Sequence, residues 1–557
     1  MPFSLHRRAV LAGGLALGAL AGAARAQGLS TIPAAPFAEA RTTAGRVRGG
    51  TARGALCFKG IPYAGRVGGQ NRFKAPPPVE PWSGVRDALT LGAPTLQREK
   101  QTYGEQEPAY SEDCLFLNVW TPAIDSKARP VLVYLHGGGY STGSAGSPTQ
   151  DGGRMAQRYD LVVVAPNHRL GLLGFLRLPG DAYAASGNQG MFDMIAALQW
   201  VRDNIANFGG DPGNVTIFGE SGGGGKVGTL MGMPAAKGLF HKAGISSGAQ
   251  LNRMPLIAAE ETTKRLMKAL AIADPAKLAD VPAQTLLDLQ WAGEKGQGGL
   301  SLATDGYAAP KIAGLPGISF SESTVAGHFG PVVDGVGIPD DPFSPAATHL
   351  CAGMPLLIGN NRTEASFFFL GQPEVYSLDD AGLTARITAD FGDQAPGIVA
   401  TYRGLYPQAS PSELFLLIAT ARTMGFETGV LADRKAAQPA PVYRYRWDYP
   451  SNRPIGGVEA SLGATLGAGH ATDIGPMFDN WDEKGLHGDG PGVQAASEAL
   501  SAAWASFARS GRPVIPGAPA WPRYDAATRP VMMIDAASQV VNDPDAAARQ
   551  MWEKLAG

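Results

Sequence analysis

Short, unbroken apolar runs bounded by turn residues dominate the central part of the chain. Three of them stand close together: "RPVLVYLHGGG" at 129–139, "LVVVAPNHR" at 161–169 and "VTIFGES" at 215–221. Runs without polar alternation are typical of strands that are buried on both faces of a parallel sheet. Between the second and third runs, Ile195, Leu198 and Val201 recur at helical spacing. The alternation of strand and helix predicts an α/β fold.

The rest of the chain continues this pattern with interruptions. Apolar runs predict further strands within 354–369 and 441–449 and a C-terminal helix over 498–511. Two stretches of mixed helical and Gly/Pro-rich sequence, 250–345 and 370–435, are expected to be insertions that cap the sheet.

The first 26 residues have the features of an export signal. Arg7 and Arg8 precede a run of small apolar residues, and Ala24-Arg25-Ala26 provides an A-x-A cleavage site. The arginine pair favours the twin-arginine type. The apolar run is shorter than the ~20 residues of a spanning helix, which argues against a membrane anchor. We therefore expect a bacterial protein that is periplasmic or secreted, with no later membrane-spanning stretch.

Composition narrows the possible partners. The chain has 557 residues, of which 44% are hydrophobic and 17% charged, and its formal net charge is −2. This is a globular composition without a basic stripe, so nucleic acid is not expected as a partner. The sequence does not distinguish a monomer from a homodimer. Cys57, Cys114 and Cys351 fit no metal-binding spacing and are expected mainly as buried side chains, although an exported protein could pair two of them.

The stretch "GESGGGGK" at 219–226 raises the question of which structural motif its glycines belong to. A phosphate-binding P-loop would need a glycine at Glu220 and a hydroxyl at Val227, so that interpretation fails. A flexible linker is excluded because a strand precedes the glycines and helix-compatible sequence follows them.

The remaining interpretation is G-x-S-x-G, a nucleophile elbow with Ser221 flanked by Gly219 and Gly223. A serine hydroxyl needs a base and a third, orienting group to act as a nucleophile. Of the histidines that follow Ser221, His470 lies in the small-residue loop "LGAGHATDIG", which could present an imidazole to a cleft.

The other histidines fit the role less well. His241 is expected to cap a helix, His487 lies in a Gly/Asp-rich stretch expected at the surface, and His328 and His349 precede the best acid. That acid is Glu364, at the end of a strand, with Asp334 as its competitor. The "HGGG" run at 136–139 follows an earlier strand, where its amides could stabilise an oxyanion.

Taken together, these motifs resemble the type B carboxylesterases, the family that includes bacterial carboxylesterases and the cholinesterases. The resemblance is carried by "FKGIPYA" (58–64), "SEDCLFLNVWTP" (111–122), "VYLHGGGY" (133–140), "NHRLGLLGF" (167–175) and the long run at 187–221. It implies an α/β-hydrolase fold with a large, mostly parallel sheet, in which residues 27–557 form a single catalytic domain.

The resemblance also implies the roles of individual residues. Ser221 would be the nucleophile, His470 the general base and Glu364 its orienting carboxylate, since the family uses Glu at this place. The amides of Gly138, Gly139 and Gly222 would form the oxyanion hole. The matching ion pairs, expected to be structural, are Arg72 with Glu112 and Arg169 with Asp193.

Three positions depart from the family pattern. The family usually has Ala at position 222 and a small residue where Lys226 stands, and no cysteine some twenty residues before Cys114 is available for the family's disulfide. A catalytic role for Lys226 is not expected, because its spacing from Ser221 does not match S-x-x-K.

The expected activity is hydrolysis of small-molecule carboxylic esters through an acyl-enzyme, without a metal or organic cofactor. Because the imidazole must be neutral to accept a proton, activity should rise through about pH 6–7. The same groups could instead act on amides, carbamates or lactones. A non-catalytic binding homologue is the alternative from another class, and the intact serine, histidine and acid argue against it.

Overall fold

The computed structural model describes residues 37–97, 108–294, 329–456 and 464–556. The predicted export signal at 1–26 therefore lies outside the described residues, as does part of the first insertion. Phe37–Gly557 form one compact unit.

Within the described residues, thirteen strands form the central sheet, and two pairs of short strands lie outside it. In chain order the strands are β1 (Ala38–Arg41), β2 (Arg46–Ala52), β3 (Ala55–Pro62), β4 (Val85–Asp87), β5 (Phe116–Thr121), β6 (Arg129–Leu135), β7 (Val162–Pro166), β8 (Gly210–Glu220), β9 (Lys242–Ser246), β10 (Met254–Pro255), β11 (Val332–Val333), β12 (Leu356–Asn361), β13 (Val442–Trp447), β14 (Ser451–Pro454), β15 (Thr465–Gly467), β16 (Pro530–Ile534) and β17 (Gln539–Asn542).

The centre of the sheet is parallel. The order is β1-β2-β3-β5-β7-β6-β8-β9-β12-β13-β16-β17, with β4 beside β2. Neighbours from β7 to β16 run parallel, whereas β1, β2, β3 and β5 at one edge and β17 at the other add antiparallel pairs. The predicted strands at β6, β7, β8, β12 and β13 are confirmed. The antiparallel edges were not predicted.

Fourteen described α-helices surround the sheet. They are α1 (Gly153–Tyr159), α2 (Gly171–Phe175), α3 (Gln189–Asn204), α4 (Gly222–Leu230), α5 (Leu256–Ala269), α6 (Ala283–Glu294), α7 (Ala365–Phe368), α8 (Asp380–Phe391), α9 (Ala395–Leu405), α10 (Pro411–Thr420), α11 (Phe426–Ala436), α12 (Ile474–Met477), α13 (Val493–Ser510) and α14 (Ala546–Ala556). The predicted helix over 498–511 is confirmed as α13, and Gly511 ends it in the left-handed region at φ 72°.

The unbroken apolar runs are explained by cores on both faces of the sheet. Along β6, Val131 and Val133 belong to one hydrophobic cluster and Leu132 and Tyr134 to the other. Successive side chains of a strand point to opposite faces, so a strand covered on both sides must be apolar at every position.

The second predicted insertion, 370–435, contains two kinds of packing. Helices α8, α9 and α10 share a hydrophobic cluster with the C-terminal helix α14. Leu431 and Ala432 of α11 belong instead to the core against the sheet. A π-helical turn, Ala421–Gly425, joins α10 and α11 into one continuous 26-residue helix, Pro411–Ala436. This helix is long and apolar enough to cross a membrane, contrary to the sequence-based expectation, but 56% of its most apolar part is buried within the protein.

Two ion pairs, one fully buried and one partly buried, hold loops against the sheet. Arg169 and Asp193 are almost fully buried and contact each other at 2.7 Å, which joins the loop after β7 to α3. Arg72 contacts Glu112 at 2.6 Å and also donates to the carbonyl of Val281 in the first insertion. All three cysteines are buried and free.

Candidate active site

A sharp turn between β8 and α4 carries Ser221. Its backbone lies in the left-handed region at φ 57° and ψ −127°, which is strained for a residue with a side chain. The turn is crowded: a Cβ at Gly219 would lie 2.5 Å from the backbone of Gly223, and one at Gly223 would lie 2.0 Å from the Leu135 carbonyl oxygen. Both flanking positions of the G-x-S-x-G motif therefore have to be glycine.

An imidazole connects this serine to a carboxylate. His470 lies in the loop between β15 and α12, and its Nε2 is 2.8 Å from Ser221 Oγ. Its Nδ1 is 2.7 Å from Glu364 Oε2, directly after β12. The structure thus brings together three side chains that the sequence separates by 249 and 106 positions.

The Glu364 carboxylate has a second set of contacts. Its other oxygen, Oε1, accepts hydrogen bonds from Ser247 Oγ and from the Asn361 amide, each at 2.6 Å. Glu364 is fully buried, so these donors and His470 together replace the water it loses. The sequence analysis did not single out Ser247 or Asn361, although both directly follow or end strands that border the site.

Glu220 adds a second buried carboxylate beside His470. Its Oε1 lies 3.3 Å from His470 Nε2, the nitrogen that also faces the serine. Burial raises the pKa of Glu220 above its ordinary value. Burial alone would lower the pKa of His470, but the charge of Glu220 and the hydrogen bond with Glu364 outweigh it and raise that pKa. The pair therefore holds a proton to higher pH than an isolated imidazole would.

A third buried acid lies behind the site. Asp473 accepts a hydrogen bond from Ser246 Oγ at 2.6 Å, and Ser246 in turn accepts one from the Tyr445 hydroxyl at 2.7 Å. Burial raises the pKa of Asp473. The only sequence signal for this network is the acid three positions after His470.

The glycine loop after β6 lies against the serine turn. Gly138 and Gly139 have φ of 82° and 61°, and a Cβ at Gly222 would lie only 2.2 Å from the Gly139 carbonyl oxygen. Among the described residues, no acceptor takes a hydrogen bond from the amides of Gly138, Gly139 or Gly222. These amides are available to a ligand, as an oxyanion hole requires.

Comparison with known proteins agrees with this arrangement. The sequence model of the Carboxylesterase family matches residues 36–552. The chain belongs to the carboxylesterase family. It is 35% identical to the para-nitrobenzyl esterase of Bacillus subtilis (strain 168), over 91% of this chain and 97% of that protein. It is 32% identical to the phenmedipham hydrolase of Pseudarthrobacter oxydans, over 90% of this chain and 96% of that one.

Solved structures give the same result for the fold. The carboxylesterase EST55 of Geobacillus stearothermophilus superposes with a TM-score of 0.75 at 35% identity, covering 92% of this chain and 99% of that one. This carboxylesterase is therefore an α/β-hydrolase and a carboxylic ester hydrolase, as the motifs implied.

The cavity of this carboxylesterase opens over the serine. It measures about 830 Å³ and is bordered by Ser221, His470 and the glycine loop. Phe367 and Phe368 line one side, and their ring centroids lie 5.7 and 4.9 Å from that of His470. Ser147 and Thr149 contribute hydroxyls to the lining. Both apolar and hydrogen-bonding groups of a substrate would find partners here.

The other residues that the sequence analysis considered for the acid, base or lysine role do not contact Ser221, His470 or Glu364 through any hydrogen bond of the described residues. The Asp334 carboxylate accepts from Asn188 Nδ2 at 2.9 Å and from turn amides of its own loop. His241 does not cap a helix: its Nδ1 accepts from the Val215 amide at 3.1 Å, just before β9. His487 is buried, not at the surface, and borders the cavity. Lys226 is fully buried on α4.

Proposed function

We propose that this carboxylesterase hydrolyses carboxylic esters with Ser221 as nucleophile, His470 as general base and then acid, and Glu364 as the orienting carboxylate. One observation carries the proposal. The imidazole of His470 is hydrogen-bonded on one nitrogen to the Ser221 hydroxyl and on the other to a buried carboxylate. This is the geometry that nucleophilic catalysis by a serine needs.

In the first half of the reaction, His470 Nε2 takes the proton of Ser221 Oγ while Oγ attacks the ester carbonyl carbon. The charge that develops on the carbonyl oxygen is stabilised by the amides of Gly138, Gly139 and Gly222. Glu364, hydrogen-bonded to Nδ1, stabilises the imidazolium that forms. The imidazolium then gives its proton to the leaving alkoxide, and the acyl group remains on Ser221.

In the second half, water replaces the alcohol. His470 takes a proton from the water as the oxygen attacks the acyl carbon, and it returns that proton to Ser221 Oγ when the acid leaves. The acid, the alcohol and the free serine result, and no redox partner is needed.

The test is a p-nitrophenyl ester series of increasing acyl length with purified variants. Ser221→Ala and His470→Ala should lower kcat by about 10⁴-fold or more, and Glu364→Gln by about 10³-fold. Ser501→Ala is the matched control, because Ser501 is a buried serine that contacts the Tyr159 hydroxyl at 2.8 Å and not the site. Undiminished turnover by Ser221→Ala would refute the proposal.

A second candidate substrate class has one observation in its favour. A relative at 32% identity carries the name phenmedipham hydrolase, so this framework serves another substrate in another protein. The same residues could act here on amides, carbamates or lactones. Parallel assays on matched ester, amide, carbamate and lactone substrates would decide, since Ser221→Ala should abolish whichever activity is genuine.

We further propose that the protein is exported and that residues 1–26 direct it to the periplasm or the medium. The support is the arginine pair, the short apolar run and the A-x-A site in the sequence.

A further inference from the structure

Lys226 carries a buried amine that the proposed reaction does not use. It lies in the middle of α4, five positions after Ser221, and its side chain is fully buried. Burying an ammonium group is costly unless its hydrogen bonds are satisfied. Burial lowers the pKa of Lys226 to about 7, and no carboxylate of the described residues offsets that effect. A lysine at such a position needs an explanation.

Its contacts lie at the two ends of the glycine loop. Lys226 Nζ donates to the His136 carbonyl oxygen at 2.8 Å, just before Gly137. The same nitrogen lies 5.7 Å from the ring centroid of Tyr140, just after Gly139. One side chain therefore contacts both residues that border the three glycines.

The rest of the loop has contacts of its own. Tyr140 is held by its carbonyl oxygen, which accepts from the Gly171 amide at 2.6 Å, and by its hydroxyl, which donates to Gln250 Oε1 at 2.8 Å. The C-terminal half of the loop is held because the Gly138 carbonyl oxygen accepts from the Thr142 amide at 3.0 Å and from Thr142 Oγ1 at 3.1 Å. Glycines have more conformational freedom than other residues, so an oxyanion hole made of their amides must be fixed by neighbours. Because a peptide group is planar, fixing the His136 carbonyl also fixes the plane that leads into Gly137.

The helix α4 thus connects the nucleophile, Ser221, with the glycine loop. It begins directly after Ser221, and Gly222 at its start allows the close approach of Gly139. One turn later it presents Lys226 to the base of the same loop. We propose that Lys226 is a positioning residue for the oxyanion hole, which holds the 136–140 loop in register with the nucleophile through its contacts with His136 and Tyr140.

This inference rests on the proposed function, and its test is chosen to separate the two. Lys226→Met keeps the length and apolar stem of the side chain and removes only the amine. We expect kcat for p-nitrophenyl esters to fall about tenfold while KM changes less than twofold, since the interaction gains importance only when the oxyanion forms. An aryl trifluoromethyl ketone, whose adduct with Ser221 carries an oxyanion, should bind more weakly by a similar factor.

The matched control is Lys435→Met. Lys435 is a second fully buried lysine, on α11, and its Nζ has no hydrogen-bond partner among the described residues. Losing that amine should leave kcat, KM and the inhibition constant of the ketone within twofold of the parent. Thermal unfolding of both variants shows whether each is folded at the assay temperature.

Three results would overturn the positioning role. These are an unchanged kcat in Lys226→Met, a change in KM alone, or a fall in kcat without weaker binding of the ketone. If Lys226→Met does not fold, Lys226→Gln is assayed by the same criteria, because its shorter side chain does not reach the His136 carbonyl from the same backbone. Ser221→Ala in the same series tests the proposed function separately: if it remains active, the nucleophile assignment fails, whatever Lys226 does.

Discussion

At the scale of single residues, the pKa of His470 is where the structure departs most from the sequence-based expectation. The sequence alone gives an imidazole of ordinary pKa and activity rising through about pH 6–7. The structure places Glu220 3.3 Å from His470 Nε2 and Glu364 2.7 Å from Nδ1. Two carboxylates favour the imidazolium, so the neutral, proton-accepting form should appear only at higher pH.

The first prediction at this scale concerns Glu220. The pKa of His470 is raised from 6.5 to about 9. The profile of kcat/KM against pH should therefore have an ascending limb whose midpoint lies above pH 6.5. Burial raises the pKa of Glu220 to about 8, so its charge is present, and favours the imidazolium of His470, only in the upper part of the range between pH 6.5 and about 9. Glu220→Gln removes that charge, and the limb should then move down by about one pH unit. Rate profiles from pH 5 to 10 measure the midpoint of that limb.

The control for this profile is Glu374→Gln, because Glu374 is exposed and pairs with Arg386 at 3.1 Å on the surface. The ascending limb of the Glu374→Gln profile should coincide with that of the parent protein. An unmoved midpoint in Glu220→Gln, or a midpoint shifted to higher pH, would show that Glu220 does not raise the pKa of the base.

At the scale of elements, the junction of β8, α4 and the glycine loop decides the geometry of the site. The motif predicted that Gly219 and Gly223 must be glycine, and the close contacts of both positions confirm it. The sequence also suggested that Gly222 needs only its amide and that glycine there loosens the turn. The structure shows instead that position 222 is crowded, because a Cβ there would lie 2.2 Å from the Gly139 carbonyl oxygen of the glycine loop.

The second prediction follows from that contact. In Gly222→Ala the new Cβ would lie 2.2 Å from the Gly139 carbonyl oxygen, so the loop has to move. Although alanine favours a helix, we expect kcat to fall about tenfold because the oxyanion donors are displaced. Gly397→Ala on α9 is the control, since nothing lies within 4 Å of its added Cβ, and it should leave kcat unchanged. Equal kcat values in the two variants would contradict the role of this contact.

At the scale of the whole molecule, the sequence predicted the parallel centre of the sheet better than its edges. Strands such as β6 and β7 are apolar at every position because both faces are covered, and that pattern is visible locally. Strand β2, "RVRGGTA", has mixed polarity and two glycines, so its pairing depends on β3 and is not visible in its own residues. The contact of Glu220 with His470 likewise joins residues 250 positions apart, which no local pattern reveals.

The last prediction concerns the fate of the whole chain. Replacing Arg7 and Arg8 together by lysine should stop export if the leader is of the twin-arginine type, and the uncleaved protein should accumulate in the cytoplasm. Arg25→Lys is the control, because it changes a leader arginine outside the pair and should leave export intact. Fractionation followed by mass spectrometry of the mature N-terminus, expected at Gln27, measures both variants.

The retained protein should still be active. All three cysteines are buried and free, so the structure contains no disulfide that would have to form first, and we expect the chain to fold in the cytoplasm as well. Esterase activity in the cytoplasmic fraction of the Arg7→Lys/Arg8→Lys variant should therefore equal that of the exported parent per mole of protein. If the parent protein keeps residues 1–26 and stays in the cytoplasm, the export proposal is refuted. If the variant retained in the cytoplasm is inactive, the protein does not reach its active fold in that compartment.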